Sequence, residues 1–192
     1  MNEYYPDRVL KIPSATPSET DAAQFIIRHK QKQFNLCGEF VVAYCMQDDA
    51  HTDDIDDFLD YWQAKDLTLY QSLFKNGLSR TTGISDLNKM LADYDVITPC
   101  QPISPLPPVL DFISAKLDSY QAIMGVQIDY SGYLVGKGIP HWIVLESLSV
   151  DSNIHAIATI YNPFTNSMER YSWREIMTST GAYKQGLWVK RS

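Results

Sequence analysis

Three residues of the types that supply a nucleophile, a base and an orienting amide stand in chain order at Cys37, His141 and Asn162. Cys37 lies in QKQFNLCGEF, ahead of a glycine and an apolar run. Cysteine chemistry needs the thiolate, which is favoured at a helix N-terminus and beside an imidazolium. Phe40, Val41, Tyr44 and Cys45 follow at three, four, seven and eight residues, so the spacing predicts a buried helix that begins near Cys37. Gly38 would let backbone or substrate approach closely. Taken alone, a cysteine before such a run reads as a core residue. His141, in GKGIPHWIVLESL, opens an apparent strand after a glycine-rich turn, a suitable place for a general base. Its plain alternative is a capped loop histidine. Asn162, in IYNPF, stands where a strand ends in a turn. It can accept from an imidazole and hold the ring, the third role in such a set, or be an ordinary turn asparagine.

The set as a whole is more specific than its parts. The order Gln31, then Cys37 followed by glycine, then His141 in HWIVLE, then Asn162 in Tyr161-Asn162-Pro163, with RYSWREIM after it, resembles the papain-like cysteine peptidases. The likeness is to the bacterial branch that includes the bacteriocin-processing peptidases. It runs from about residue 22 to the end and is thin between residues 47 and 80. The resemblance implies an α+β, papain-like fold, with the cysteine on an N-terminal helical lobe and the histidine and asparagine on a C-terminal antiparallel β-sheet. It implies a peptidase or amidase that works through an acyl-thioester on a peptide, isopeptide or side-chain amide, with no cofactor. Gln31 would donate its side-chain amide to the oxyanion, beside the Cys37 N–H. From the residues alone, Gln33 and Asn35 are alternatives to Gln31. An acyltransferase or transglutaminase-like enzyme would use the same triad, and a non-catalytic binding module could keep the same scaffold. Two departures stand out. Glu39 replaces the family's usual proline, and its carboxylate works against a thiolate nearby. Asparagine replaces the more frequent aspartate at Asn162.

The elements that must position these residues are helices first and strands later. Thr16-Pro17-Ser18-Glu19 reads as a capped helix start, with a helix through about His29. TDDIDDFLDYWQAK carries a second apolar stripe, and Ser85–Tyr94 and Val109–Leu117 are two further helices. PCQPISPLPP reads as a stiff extended connector. AIMGVQIDY, HWIVLESL, HAIATIY and GLWVKR are strands. The expected organisation is one domain over 1–192, with an arm over 1–15, a helical lobe over about 16–118 and a sheet lobe over about 119–192.

Composition narrows the function classes. An apolar fraction of 45% with 12% aromatics suits a packed core. The net charge of −7 and pI near 5.0 disfavour nucleic acid or an anionic membrane as the main partner. A peptide or protein substrate is the expected partner, with the oligomeric state open. No apolar run approaches a bilayer span and no secretory signal is visible, so the expected site is the cytoplasm, or export without such a signal. Cys37, Cys45 and Cys100 show neither a disulfide framework nor a zinc pattern. Cys45 reads as core and Cys100 as a connector residue. His29 and His155 read as structural. DDAHTDDIDDFLD, with His51, lacks the glycine and spacing of a calcium loop and reads as a solvated acidic helix face. YSGY, residues 130–133, either lines a substrate cleft or forms a plain β-turn.

Overall fold

The structure is a computed structural model, and it describes residues 37–46, 64, 82–91, 97–99, 107–150, 155–181 and 185–191. Among the described residues the helices with both ends placed are α1 (Cys37–Met46), α2 (Ile84–Met90), α3 (Pro107–Leu117) and α4 (Trp173–Thr180). Six strands are β1 (Ile97–Pro99), β2 (Tyr120–Ile128), β3 (Ile139–Val150), β4 (Ala156–Asn162), β5 (Ser167–Ser172) and β6 (Gly186–Lys190). They form one antiparallel sheet in the order β1-β6-β2-β3-β4-β5. The architecture is α+β, as the order of helical and strand patterns predicts.

Helices cover both faces of the sheet. On one face, α1 and α2 pack through Phe40, Val41, Tyr44, Leu87 and Met90 against Ile123, Trp142, Val144, Tyr161 and Leu187. On the other, α3 and α4 pack through Leu110, Ile113, Leu117, Trp173 and Ile176 against Met124, Ile143, Leu145, Ile160 and Trp188. This explains why the central strands read as unbroken apolar runs: both sides of each strand are removed from water. Successive side chains of β3 serve opposite cores, Trp142 and Val144 one and Ile143 and Leu145 the other. A register shift against β4 between Leu145 and Ser147 then brings Leu148 onto the same side as Leu145.

Several local expectations change in the folded chain. Pro107 and Pro108 open α3 and are not part of an extended connector. The first N–H groups of a helix have no intrahelical acceptor, so proline loses nothing there. Ile97–Pro99, which includes the first proline of the supposed connector, is a strand paired with β6. It lies within the stretch assigned to the helical lobe, so the division at residue 118 does not separate helices from sheet. The helix expected over Ser85–Tyr94 spans Ile84–Met90 and is capped by Leu91. RYSWREIM divides into the end of β5 and α4, where Ser172 accepts from the Glu175 N–H and Glu175 accepts from the Ser172 N–H. The helix expected over residues 16–29, Gln31, His29, His51, Cys100 and the arm over 1–15 lie outside the described residues. So does the helix over 52–65 apart from Ala64, which is helical. Among the described residues no helix is long and apolar enough to cross a membrane.

Candidate active site

Cys37 is the first residue of α1. The helix is buried on all sides from Cys37 to Cys45, which fixes its N-terminus against the sheet. Gly38 lets this end approach Thr82, because a Cβ at this position would lie 2.5 Å from the Cβ of Thr82. Thr82 in turn joins helix and sheet. Its hydroxyl donates to Glu39 Oε1 at 2.8 Å, and its carbonyl accepts from the Trp142 indole Nε1 at 2.8 Å.

Cys37 shares a buried cluster with Trp142, the residue that follows His141 on β3. Burial pushes the Cys37 thiol up from 9.0 to about 12. The Trp142, Gly38 and Cys37 backbone N–H groups pull the other way, and the Glu39 charge adds to the rise. The carboxylate therefore acts in the direction its place in the sequence suggests, but desolvation is the larger cause.

His141 and Asn162 are brought together. His141 Nε2 lies 2.9 Å from Asn162 Oδ1, and both side chains are buried. Asn162 makes all four hydrogen bonds that its amide can make. Oδ1 also accepts from the Phe164 N–H at 3.0 Å, and Nδ2 donates to the Gly132 carbonyl at 3.0 Å and to Glu169 Oε2 at 3.2 Å. The reversed amide would set its NH2 against the Phe164 N–H and its oxygen against two acceptors. The orientation is therefore assigned by chemistry, and it places the proton of a neutral imidazole on His141 Nε2. The lone pair is left on Nδ1, where a general base needs it. Burial brings the imidazole down from 6.5 to about 4, and the bond to Asn162 partly opposes this. Phe164 packs edge-on to the ring, with centroids 6.4 Å apart. No hydrogen bond joins the Cys37 thiol to the His141 ring; what links them is Trp142, which follows His141 on β3 and is buried in one cluster with Cys37.

The YSGY segment is a tight turn. Asp129 Oδ1 accepts from the Ser131 and Tyr133 N–H groups, and Gly132 adopts φ +88°. Tyr130 and Tyr133 are exposed, whereas Gly132 presents its carbonyl to Asn162. The segment thus holds the Asn162 amide from behind. Against protein-family models and against curated proteins, the sequence matches none.

Among the described residues no group of three or more His, Cys, Asp or Glu side chains is placed to hold a metal ion. Cys45 is a buried core residue, and His155 is exposed. Two residues at the site are absent from the reading of the sequence. One is Thr82, and nothing in its local sequence signals the contact. The other is Glu169, buried beside Asn162. SMERYS carries a signal for it: Glu169 shares strand parity with Tyr171, which faces the core, while Arg170 between them is exposed.

Proposed function

We propose that the chain is a papain-like cysteine hydrolase, a peptidase or amidase, with Cys37 as nucleophile, His141 as base and Asn162 as orienter. The observation that carries the reading is the His141–Asn162 pair at 2.9 Å, with its tautomer fixed so that Nδ1 holds the lone pair. It is supported by Cys37 at the start of a helix, against the strand position next to His141. At neutral pH the thiol and the imidazole are both uncharged, so the base works during attack and not before it. The thiol sulfur adds to the carbonyl carbon as its proton passes to His141 Nδ1. The tetrahedral oxyanion accepts from the Cys37 N–H and, as the resemblance implies, from the Gln31 amide. Collapse breaks the C–N bond, and the imidazolium returns the proton to the leaving amine. Water then opens the thioester, with His141 again taking a proton, and the thiol is restored. Catalytic hydrogen bonds often tighten only in the substrate complex, so the absence of a bond between thiol and ring here is compatible with the reading.

The test is iodoacetamide labelling with peptide mapping of the folded protein. Selective, pH-dependent modification of Cys37 that is lost in His141→Ala is expected. A Cys37 that stays inert while other cysteines label would overturn the reading. That result would favour the second one, a non-catalytic module on the same scaffold, which the 2% exposure of Cys37 and its raised thiol support. With an added amine, conversion of the acyl group to amide and not to acid would replace hydrolysis by acyl transfer.

A further inference from the structure

Glu169 is a carboxylate that the mechanism above leaves unused. It is 2% exposed on β5, at the register position opposite Ile160 and two residues from Asn162 along β4. Oε2 accepts from Asn162 Nδ2 at 3.2 Å and from the Tyr171 hydroxyl at 2.9 Å. Oε1 accepts from the Ser167 hydroxyl at 3.2 Å and from the Thr165 hydroxyl. All four donors are neutral, and all four suit the carboxylate form. Such a cluster does more than a buried surface needs, and it is aimed at the amide that holds the imidazole.

We propose that Glu169 is a positioning residue of the site, its charge acting through the Asn162 amide to fix the Nε2–H tautomer of His141 and to favour the imidazolium formed during attack. This rests on the hydrolase reading for its catalytic meaning, but its electrostatic content stands on the His141–Asn162–Glu169 row alone. In a dry interior, hydrogen bonds in a chain polarise one another, so a carboxylate behind the amide draws on Nδ2 and enriches Oδ1. It also explains the amide at position 162. An aspartate there would set acceptors against the Gly132 carbonyl and the Glu169 carboxylate, whereas asparagine donates to both. Asn162 and Glu169 together divide the work that a single aspartate does elsewhere: one holds the ring, the other supplies the charge. The ionisable groups linked to the site are Glu169 and Tyr171 from β5, joined to the ring through Asn162, and Glu39 from α1, whose charge acts on the Cys37 thiol. Burial, and then the Glu169 charge, push the Tyr171 hydroxyl up, so it remains a donor.

The experiment is an NMR pH titration of the His141 imidazole nitrogens, the resonance assigned by its loss in His141→Gln. Glu169→Gln is expected to lower the His141 midpoint by about one unit, because a nearby negative charge favours the protonated ring. The double variant Asn162→Asp/Glu169→Gln returns the charge to the row and is expected to titrate at or above the wild type. An unchanged or raised midpoint in Glu169→Gln would overturn the proposal. Loosened packing that admits water moves the ring back towards 6.5, the opposite direction. Should Glu169→Gln not fold, a double variant that titrates below the wild type overturns it equally. The titration needs no reactive thiol. A silent Cys37 with the expected shift defeats only the hydrolase reading, and a reactive Cys37 without the shift defeats only this one.

Discussion

Burial acts on Cys37 and His141 in opposite senses, and the stability of the protein must record both. His141 titrates near 6.5 when unfolded and near 4 when folded. Between those values the unfolded chain binds the extra proton, so stability is fully present above pH 6.5 and is lost as pH falls towards 4. The loss amounts to about 3 kcal/mol at most. Cys37 has a folded value near 12 against 9.0. Its contribution is fully present below pH 9 and is lost as pH rises towards 12. Urea midpoints measured against pH are therefore expected to show a plateau between these limits, and His141→Gln is expected to flatten the acid side. At this scale the sequence names candidates where residue type sets chemistry, as at Cys37, His141 and Asn162, of which the structure joins the last two. The sequence was least legible for Glu169. A carboxylate in SMERYS looks like solvated surface until the strand's parity is known, and parity depends on which neighbours the strand finds.

Elements carry the site through two close approaches. At Gly132, φ +88° and a Cβ that would lie 2.3 Å from Phe164 Cδ1 exclude a side chain. The same residue's carbonyl holds Asn162. Gly132→Ala is expected to cost about 2 kcal/mol or more by thermal denaturation, through left-handed strain and overpacking together. Under the hydrolase reading it also slows Cys37 labelling, because the orienter loses its anchor. Gly38 has a comparable close approach, to Thr82, which lets the first turn of α1 pack on the segment that leads into α2. The helix from Cys37 was readable from its apolar spacing, and the strands from their β-branched runs. Pro107–Pro108 misled because proline reads as a breaker, yet it suits the first turn of a helix. β5 escaped because its polar sequence gains strand form only by pairing with β4.

At the scale of the whole described fold, the sheet is closed by β6. β6 enters between β1 and β2, so the last described residues complete the sheet's interior. Arg191 then fastens three parts of the chain. Its Nη1 meets Glu146 Oε2 at 2.8 Å, Nη2 donates to the Glu146 carbonyl at 2.6 Å, and Nε donates to the Leu117 carbonyl at 3.1 Å. These acceptors lie at the register shift of β3 and the last residue of α3. Lysine lacks the planar fork that reaches all of them. Arg191→Lys is expected to lower unfolding stability by about 1–2 kcal/mol, measured by urea denaturation. The value is modest because both side chains of the pair are partly exposed. By itself the sequence determined the α+β order, the helix that starts at Cys37 and the identity of three candidate reacting groups, because periodicity and side-chain chemistry are local. Only the tertiary structure decided the strand order, the all-round satisfaction of Asn162 and the carboxylate behind it. Those depend on register between strands distant in the chain, which no local pattern encodes.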